Sequence, residues 1–232
     1  MNRHLLAAAL AAIAAAVPAS AAERNYTVTG FDRVRLDGPY RVRMTTGVAP
    51  FARATGSSAA LDSISIEVQG QTLVIRKNPS SWGGYPGEAQ GPVEIVVGTH
   101  DLSTVWLNGP GSLAINSVRG QSFDLNVQGS GSVSVGRLEV DRLRAGLIGT
   151  GSASLAGKAA AATMIVRGTG SLDASGLSVK DAVVGADGGS VVSVNASGSA
   201  KIDAQGTASV AVEGGPACTV RAIGSAVVSG CR

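Results

Sequence analysis

The chain has 232 residues, 32 of them glycine, with 3% aromatic side chains and a net charge of +3 at pH 7. The basic residues form no dense Lys/Arg cluster, which argues against nucleic acid as a partner, because neutralising a run of phosphates needs a concentrated basic face. Beyond residue 21 there are one histidine and two cysteines, too few and too scattered for a zinc cluster, and no cofactor is implied.

The chain opens with Arg3, an apolar run over residues 5–17, Pro18 and the small-residue stretch Ala19-Ser20-Ala21-Ala22. This pattern predicts a secretory signal peptide over residues 1–21, cleaved after Ala21. The apolar run is shorter than the roughly 20 residues a membrane-spanning helix needs, and no later stretch is long enough, so no membrane span is expected. The export signal predicts a soluble chain in the periplasm, at the cell surface or outside the cell.

Residues 22–100 are expected to form a less regular β part that caps a solenoid. Alternating segments occur at Val34-Arg35-Leu36, residues 40–44, residues 64–68, Leu73-Val74-Ile75 and residues 93–97, with Gln69-Gly70-Gln71 as a tight turn between two of them. Leu36-Asp37-Gly38-Pro39 echoes Leu107-Asn108-Gly109-Pro110, which suggests that one architecture begins early. Arg41, Arg43 and Arg53 are compatible with an electropositive patch or with an ordinary solvated strand face. The loop over residues 80–87 carries Trp82 and Tyr85 among turn formers, which makes these two the candidate ligand-binding aromatics; a loop folded back over the solenoid is the plainer reading. His100 and Asp101 read as polar turn residues, since a hydrolytic triad needs a third, converging nucleophile. Helical periodicity is not evident outside the signal segment.

Residues 101–232 carry a repeat. Gly-X-Gly-Ser appears at Gly109/Gly111, Gly129/Gly131, Gly149/Gly151 and Gly168/Gly170, and degenerate copies follow at Asp187-Gly188-Gly189-Ser190, Gly206-Thr207-Ala208-Ser209 and Gly224-Ser225. Apolar columns flank the signature: Leu107, Val127, Leu147, Val166, Gly185, Ala204 and Ala222 two residues before it; Val105, Leu125, Ala145, Met164, Val183, Ile202 and Val220 four before; Leu113, Val133, Ala153, Leu172, Val191 and Val210 four after. A weaker column at Val118, Leu138 and Leu177 would serve a third side. Period-2 alternation around regularly spaced glycine corners predicts an all-β fold, a right-handed parallel β-helix (solenoid) with 19 to 20 residues per coil. Seven coils at about 4.8 Å would make a rod of roughly 30–35 Å.

Cys218 and Cys231 close the repeat, and in an oxidising compartment the pair is expected to form a disulfide. The aspartates do not share one phase of the repeat, which argues against a calcium ladder, and no lysine or helix follows the glycine corners as a phosphate loop would require.

From about Phe31 to its end the chain resembles the bacterial family described as putative auto-transporter adhesin, head GIN domain. The resemblance rests on Gly30-Phe31-Asp32-Arg33-Val34, Gly38-Pro39-Tyr40-Arg41-Val42, the strand pair around Gly70-Gln71-Thr72-Leu73-Val74-Ile75, and the recurring Gly-X-Gly-Ser corners. It implies a right-handed β-helix at the envelope or surface, and brings no catalytic residues with it. No segment after the repeats is expected to form a translocator barrel. The resulting expectation is a non-enzymatic, adhesin-like binding or scaffold protein presenting a rigid flank to a cell-surface glycan or an envelope protein. Its rival is a carbohydrate-active enzyme, a polysaccharide lyase or hydrolase on the same fold, which would need carboxylates or basic groups clustered on one face.

Overall fold

The structure, a computed structural model, describes residues 22–80 and 91–231. The signal segment and the loop positions Trp82 and Tyr85 lie outside the described residues. The described chain begins with β1 (Ala22–Tyr26), β2 (Arg33–Asp37), β3 (Arg41–Thr46) and β4 (Phe51–Gly56), followed by a one-turn helix, α1 (Ser58–Asp62). Next, β5 (Ile64–Gln69) and β6 (Thr72–Lys77) form an antiparallel hairpin around Gly70, whose φ of 64° suits the glycine of a two-residue turn. Strands β7 (Glu94–Thr99) and β8 (Thr104–Asn108) lead into the long coils β9 (Ser112–Gly129), β10 (Ser132–Gly149), β11 (Ser152–Gly168), β12 (Ser171–Gly188) and β13 (Val191–Gly206). The chain closes with β14 (Ser209–Glu213), β15 (Ala217–Gly224) and β16 (Val227–Ser229). All the strands belong to one hydrogen-bonded sheet that coils into a parallel β-solenoid.

At the N-terminal end, order in space departs from order in sequence. Strand β2 lies between β6 and β8, and β3 lies between β7 and β9, so the first coil of the chain is interior to the stack. The echo between residues 36–39 and 107–110 is direct stacking: Leu36 pairs with Leu107, and the Asn108 side-chain amide donates to the Asp37 carboxylate at 2.6 Å. Outside this coil, β4 runs antiparallel on β7 and β1 antiparallel on β4, so the parallel stack ends in antiparallel strands. Helix α1 was not expected, because one turn is too short to show a period. The local chemistry explains it: the Ser57 hydroxyl caps it by accepting from the Ala60 N–H at 3.1 Å, and Ala60 and Leu61 are buried. At its other end Arg24 of β1 donates to the Leu61 carbonyl at 3.0 Å and to Asp62 at 2.6 Å.

Within the coils, neighbours stack in register. Ser112, Ser132, Ser152 and Ser171 form one column, and Gly129, Gly149, Gly168 and Gly188 another. The last pairing corrects the expected phase of the fifth corner. Gly188, not Asp187, takes the first-glycine place, so the inward residues there are Val184, Ala186 and Val192, while Val183 and Val191 are exposed and Gly185 leaves the interior column. The second-glycine column then reads Gly111, Gly131, Gly151, Gly170, Ser190, Ala208. A Cβ at Gly151 or Gly170 would stand 2.7 Å from the carbonyl oxygen of the coil beneath, so these places admit only glycine. The corner changes shape beyond Gly168: φ at the first glycine falls from 110° there to 84° at Gly188, and Ser190 and Ala208 fit inside. The buried Ser190 hydroxyl makes no hydrogen bond among the described residues. Ser190→Ala should therefore be neutral or stabilising by up to about 1 kcal/mol in a urea unfolding curve, because it removes a desolvated hydroxyl and keeps the Cβ that Ala208 shows is accommodated.

The third side is better filled than its sequence column suggested. Val118, Leu138 and Leu177 are buried, and a further column of Phe123, Leu143, Ala162, Ala182 and Ala200 runs beside them. This column tapers from a phenyl ring to methyl groups along the rod. At its end Cys218 stacks on Ala200 and is bonded to Cys231, with Cα atoms 5.7 Å apart. The last coil has a neighbour on one side only, and most of β15 is exposed, so the covalent link supplies what packing does not. Replacing both cysteines by serine is expected to lower unfolding free energy by about 3 kcal/mol, the loop-closure value for a ring of this size, measured in denaturant against the oxidised protein.

Candidate binding flanks

Strands turn alternate residues outward, so outward positions in register become rows along the rod axis. On the flank made by β7, β3 and the first segments of β9 to β12, one row reads Glu94, Arg41, Ser112, Ser132, Ser152, Ser171; the next reads Val96, Arg43, Ala114, Ser134, Ser154, Asp173. Small side chains leave a groove of about 440 Å³ along these rows. Arg41 and Arg43 stand at one end without an ion pair among the described residues, whereas Arg53 is held by Glu23 at 3.3 Å and by Asn25 at 3.2 Å. At the other end the Ser175 hydroxyl and N–H donate to Asp173 at 2.6 and 3.1 Å, which holds its carboxyl below the usual aspartate range.

A second flank is made by β6, β2, β8 and the last segments of β9 to β12. Its central row is Arg35, Trp106, Asn126, Gly146, Ile165, Gly185, with the buried Val74 in register at its β6 end. Trp106 projects outward between the buried Val105 and Leu107. A groove of about 700 Å³ lies on one side of it, lined by Arg33, Asp124, Asn126, Arg144 and Ile165, and one of about 480 Å³ on the other, lined by Arg35, Gln69, Asn108 and Gln128. Trp106 escaped the sequence reading, although the alternation that sends Val105 and Leu107 inward also sends Trp106 out.

The other expected positions are structural where they are described. The corner glycines lie against the backbone of the preceding coil. His100 is exposed, and its carbonyl accepts from the Gly47 N–H at 2.9 Å. Among the described residues no three His, Cys, Asp or Glu side chains converge as a metal site would need.

Residues 30–216 match the family described as putative auto-transporter adhesin, head GIN domain. Among solved structures, a putative adhesin from Bacteroides fragilis superposes with a TM-score of 0.78 at 19% identity, covering 90% of this chain and 95% of that one. A putative lipid binding protein from Parabacteroides distasonis gives 0.72 at 19% identity, covering 91% and 96%, and a putative adhesin from Parabacteroides merdae 0.67 at 18%, also covering 91% and 96%. At these identities the likeness is one of fold. No curated protein sequence matches the chain.

Proposed function

Because the chain belongs to the putative auto-transporter adhesin, head GIN domain family, we propose that it is an exported, non-enzymatic binding protein of the bacterial envelope, which presents a rigid solenoid flank to a surface glycan or an envelope protein. The observation that carries this reading is the pair of long outward grooves, each laid across several stacked coils whose backbones are hydrogen-bonded on both sides. Such a surface pre-organises its side chains, so little conformational entropy is lost when an extended partner docks. The Cys218–Cys231 disulfide supports an oxidising compartment.

A lyase or hydrolase on this fold would bring carboxylates or cations together at one place. Here each cation that lines the grooves of the second flank is matched to one carboxylate: Arg33 with Asp32 at 3.7 Å and Arg35 with Asp37 at 2.9 Å along the chain, and Arg144 with Asp124 at 3.8 Å across adjacent coils. The reading is tested with the purified secreted form, assayed for adhesion to whole bacterial cells and to a glycan array, and for polysaccharide turnover. Binding without turnover is the expected result. Release of oligosaccharides with time would replace it with the enzymatic reading.

A further inference from the structure

We propose that the Trp106 flank is a binding platform for a neutral, extended, β-linked glycan chain lying along the solenoid axis. This ligand assignment rests on the binding role proposed above, and adds the site and the chemical class. The chain has two tryptophans, and among the described residues Trp106 is the only one, a half-buried indole on the outward side of a strand locked between β2 and β9. An aromatic face carries partial negative charge, which suits the weakly positive C–H groups on the face of a pyranose ring. The indole N–H makes no hydrogen bond within the described residues and is left for a ligand hydroxyl.

Beyond Trp106 the row drops to Asn126 and Gly146 before rising at Ile165, which is 41% exposed. These four residues span three strand spacings, roughly 14 Å, with an apolar face at each end and an amide between. A flat β-linked chain alternates such C–H faces with hydroxyl edges, and planar amide, carboxylate and guanidinium groups at Asn126, Asp124 and Arg144 face those edges from the groove.

Two features select this occupant. A peptide that binds as an added strand needs a free sheet edge, and β2 and the coils through β12 have none, since each strand of the flank is paired on both sides. A uronic or sulfated chain would need uncompensated cations in the grooves beside Trp106, and the cations that line them, Arg33, Arg35 and Arg144, each have a carboxylate partner. Arg41 and Arg43, which make no ion pair among the described residues, line the other groove.

The test is isothermal titration of the disulfide-intact secreted protein with cellohexaose, xylohexaose and mannohexaose, and with oligogalacturonate as the charged comparison. At least one neutral hexaose should bind, oligogalacturonate should not, and Trp106→Ala should weaken binding about thirtyfold, with Trp106→Tyr restoring most of it. Gly146→Val is the second variant. Its Cβ would meet only the Asn126 side-chain oxygen at 3.4 Å, so the fold is kept while the trough is filled, and binding should again be lost. Unchanged affinity in both Trp106→Ala and Gly146→Val, or loss that follows Trp82→Ala/Tyr85→Ala instead, overturns the site and leaves the binding role standing. Binding of oligogalacturonate alone, abolished by Arg41→Ala/Arg43→Ala, overturns it in favour of the serine groove. Failure of every hexaose while the protein still adheres to cells overturns the glycan class, and failure to adhere to cells or to any glycan removes the binding role itself.

Discussion

Replacing Gly149 by valine is expected to be severely damaging to the coils, costing about 4 kcal/mol or more and shifting the urea midpoint sharply down. Two independent effects add at this corner. The backbone at Gly149 has φ of 113°, a region that a β-branched residue enters only under strain. Its Cβ would also stand 2.7 Å from the Gly129 carbonyl oxygen and 3.3 Å from the carbonyl carbon. Those atoms are backbone held by the coil beneath, where Thr150 N–H donates to the same Gly129 oxygen at 2.9 Å, so neither partner can yield without breaking an inter-coil bond. A Gly47→Ala variant is the control: φ is also positive, at 77°, but nothing lies near the added methyl, so it separates backbone strain from collision and should cost about 1 kcal/mol.

Phe123→Ala is expected to cost about 3–5 kcal/mol, read from the same unfolding curves. Phe123 is fully buried at the head of the column that continues as Leu143 and Ala162. Its neighbours are fixed by two sets of ladder hydrogen bonds, so the wall cannot collapse into the space left behind. Ala182→Gly, farther down the column, removes one methyl and should cost no more than about 1 kcal/mol. The contrast between the two positions would show that the taper is an energetic gradient and that the wide end of the rod carries more of the core.

Much of this architecture was legible because a coil that stacks on its own copy must repeat both its corner and its inward residues. Leu113, Val133, Ala153 and Leu172 are visible as a column in the sequence and are buried as one. The phase slip at the fifth corner was not legible: Gly188-Gly189 offers two candidate first glycines, and the doublets Val183-Val184 and Val191-Val192 put an apolar residue on either face. Burial decides between them, and burial depends on the neighbouring coil. The Phe123 column was hidden because its later members are alanines, which alternate with other small residues without contrast. Of the insertion of β2 and β3, only the contact with β8 left a trace, in the echo of residues 36–39 at 107–110; the pairing of β2 with β6 and of β3 with β7 depends on partners far along the chain that share no such echo. The disulfide was legible from its cysteines alone. Of the contact surfaces, the small polar rows followed from the repeat, whereas Trp106 stood in a short strand before the first full signature, and attention to loops favoured Trp82 and Tyr85.

The inverted order of the first coil has a mechanical meaning. Tension applied at the N-terminal end first reaches β1, an antiparallel strand at the rim that among the described residues pairs only with β4, which can be unzipped one bond at a time. The next strand along the chain is β2, clamped between β6 and β8. A force along it must shear two ladders at once, and β3 behind it is gripped in the same way. A solenoid whose chain began at its outer rim would peel coil by coil like a loosened spring. This one loses a short leader and then locks, so load passes into the body of the rod, and the sulfur bridge at the far end keeps its last loop from running out.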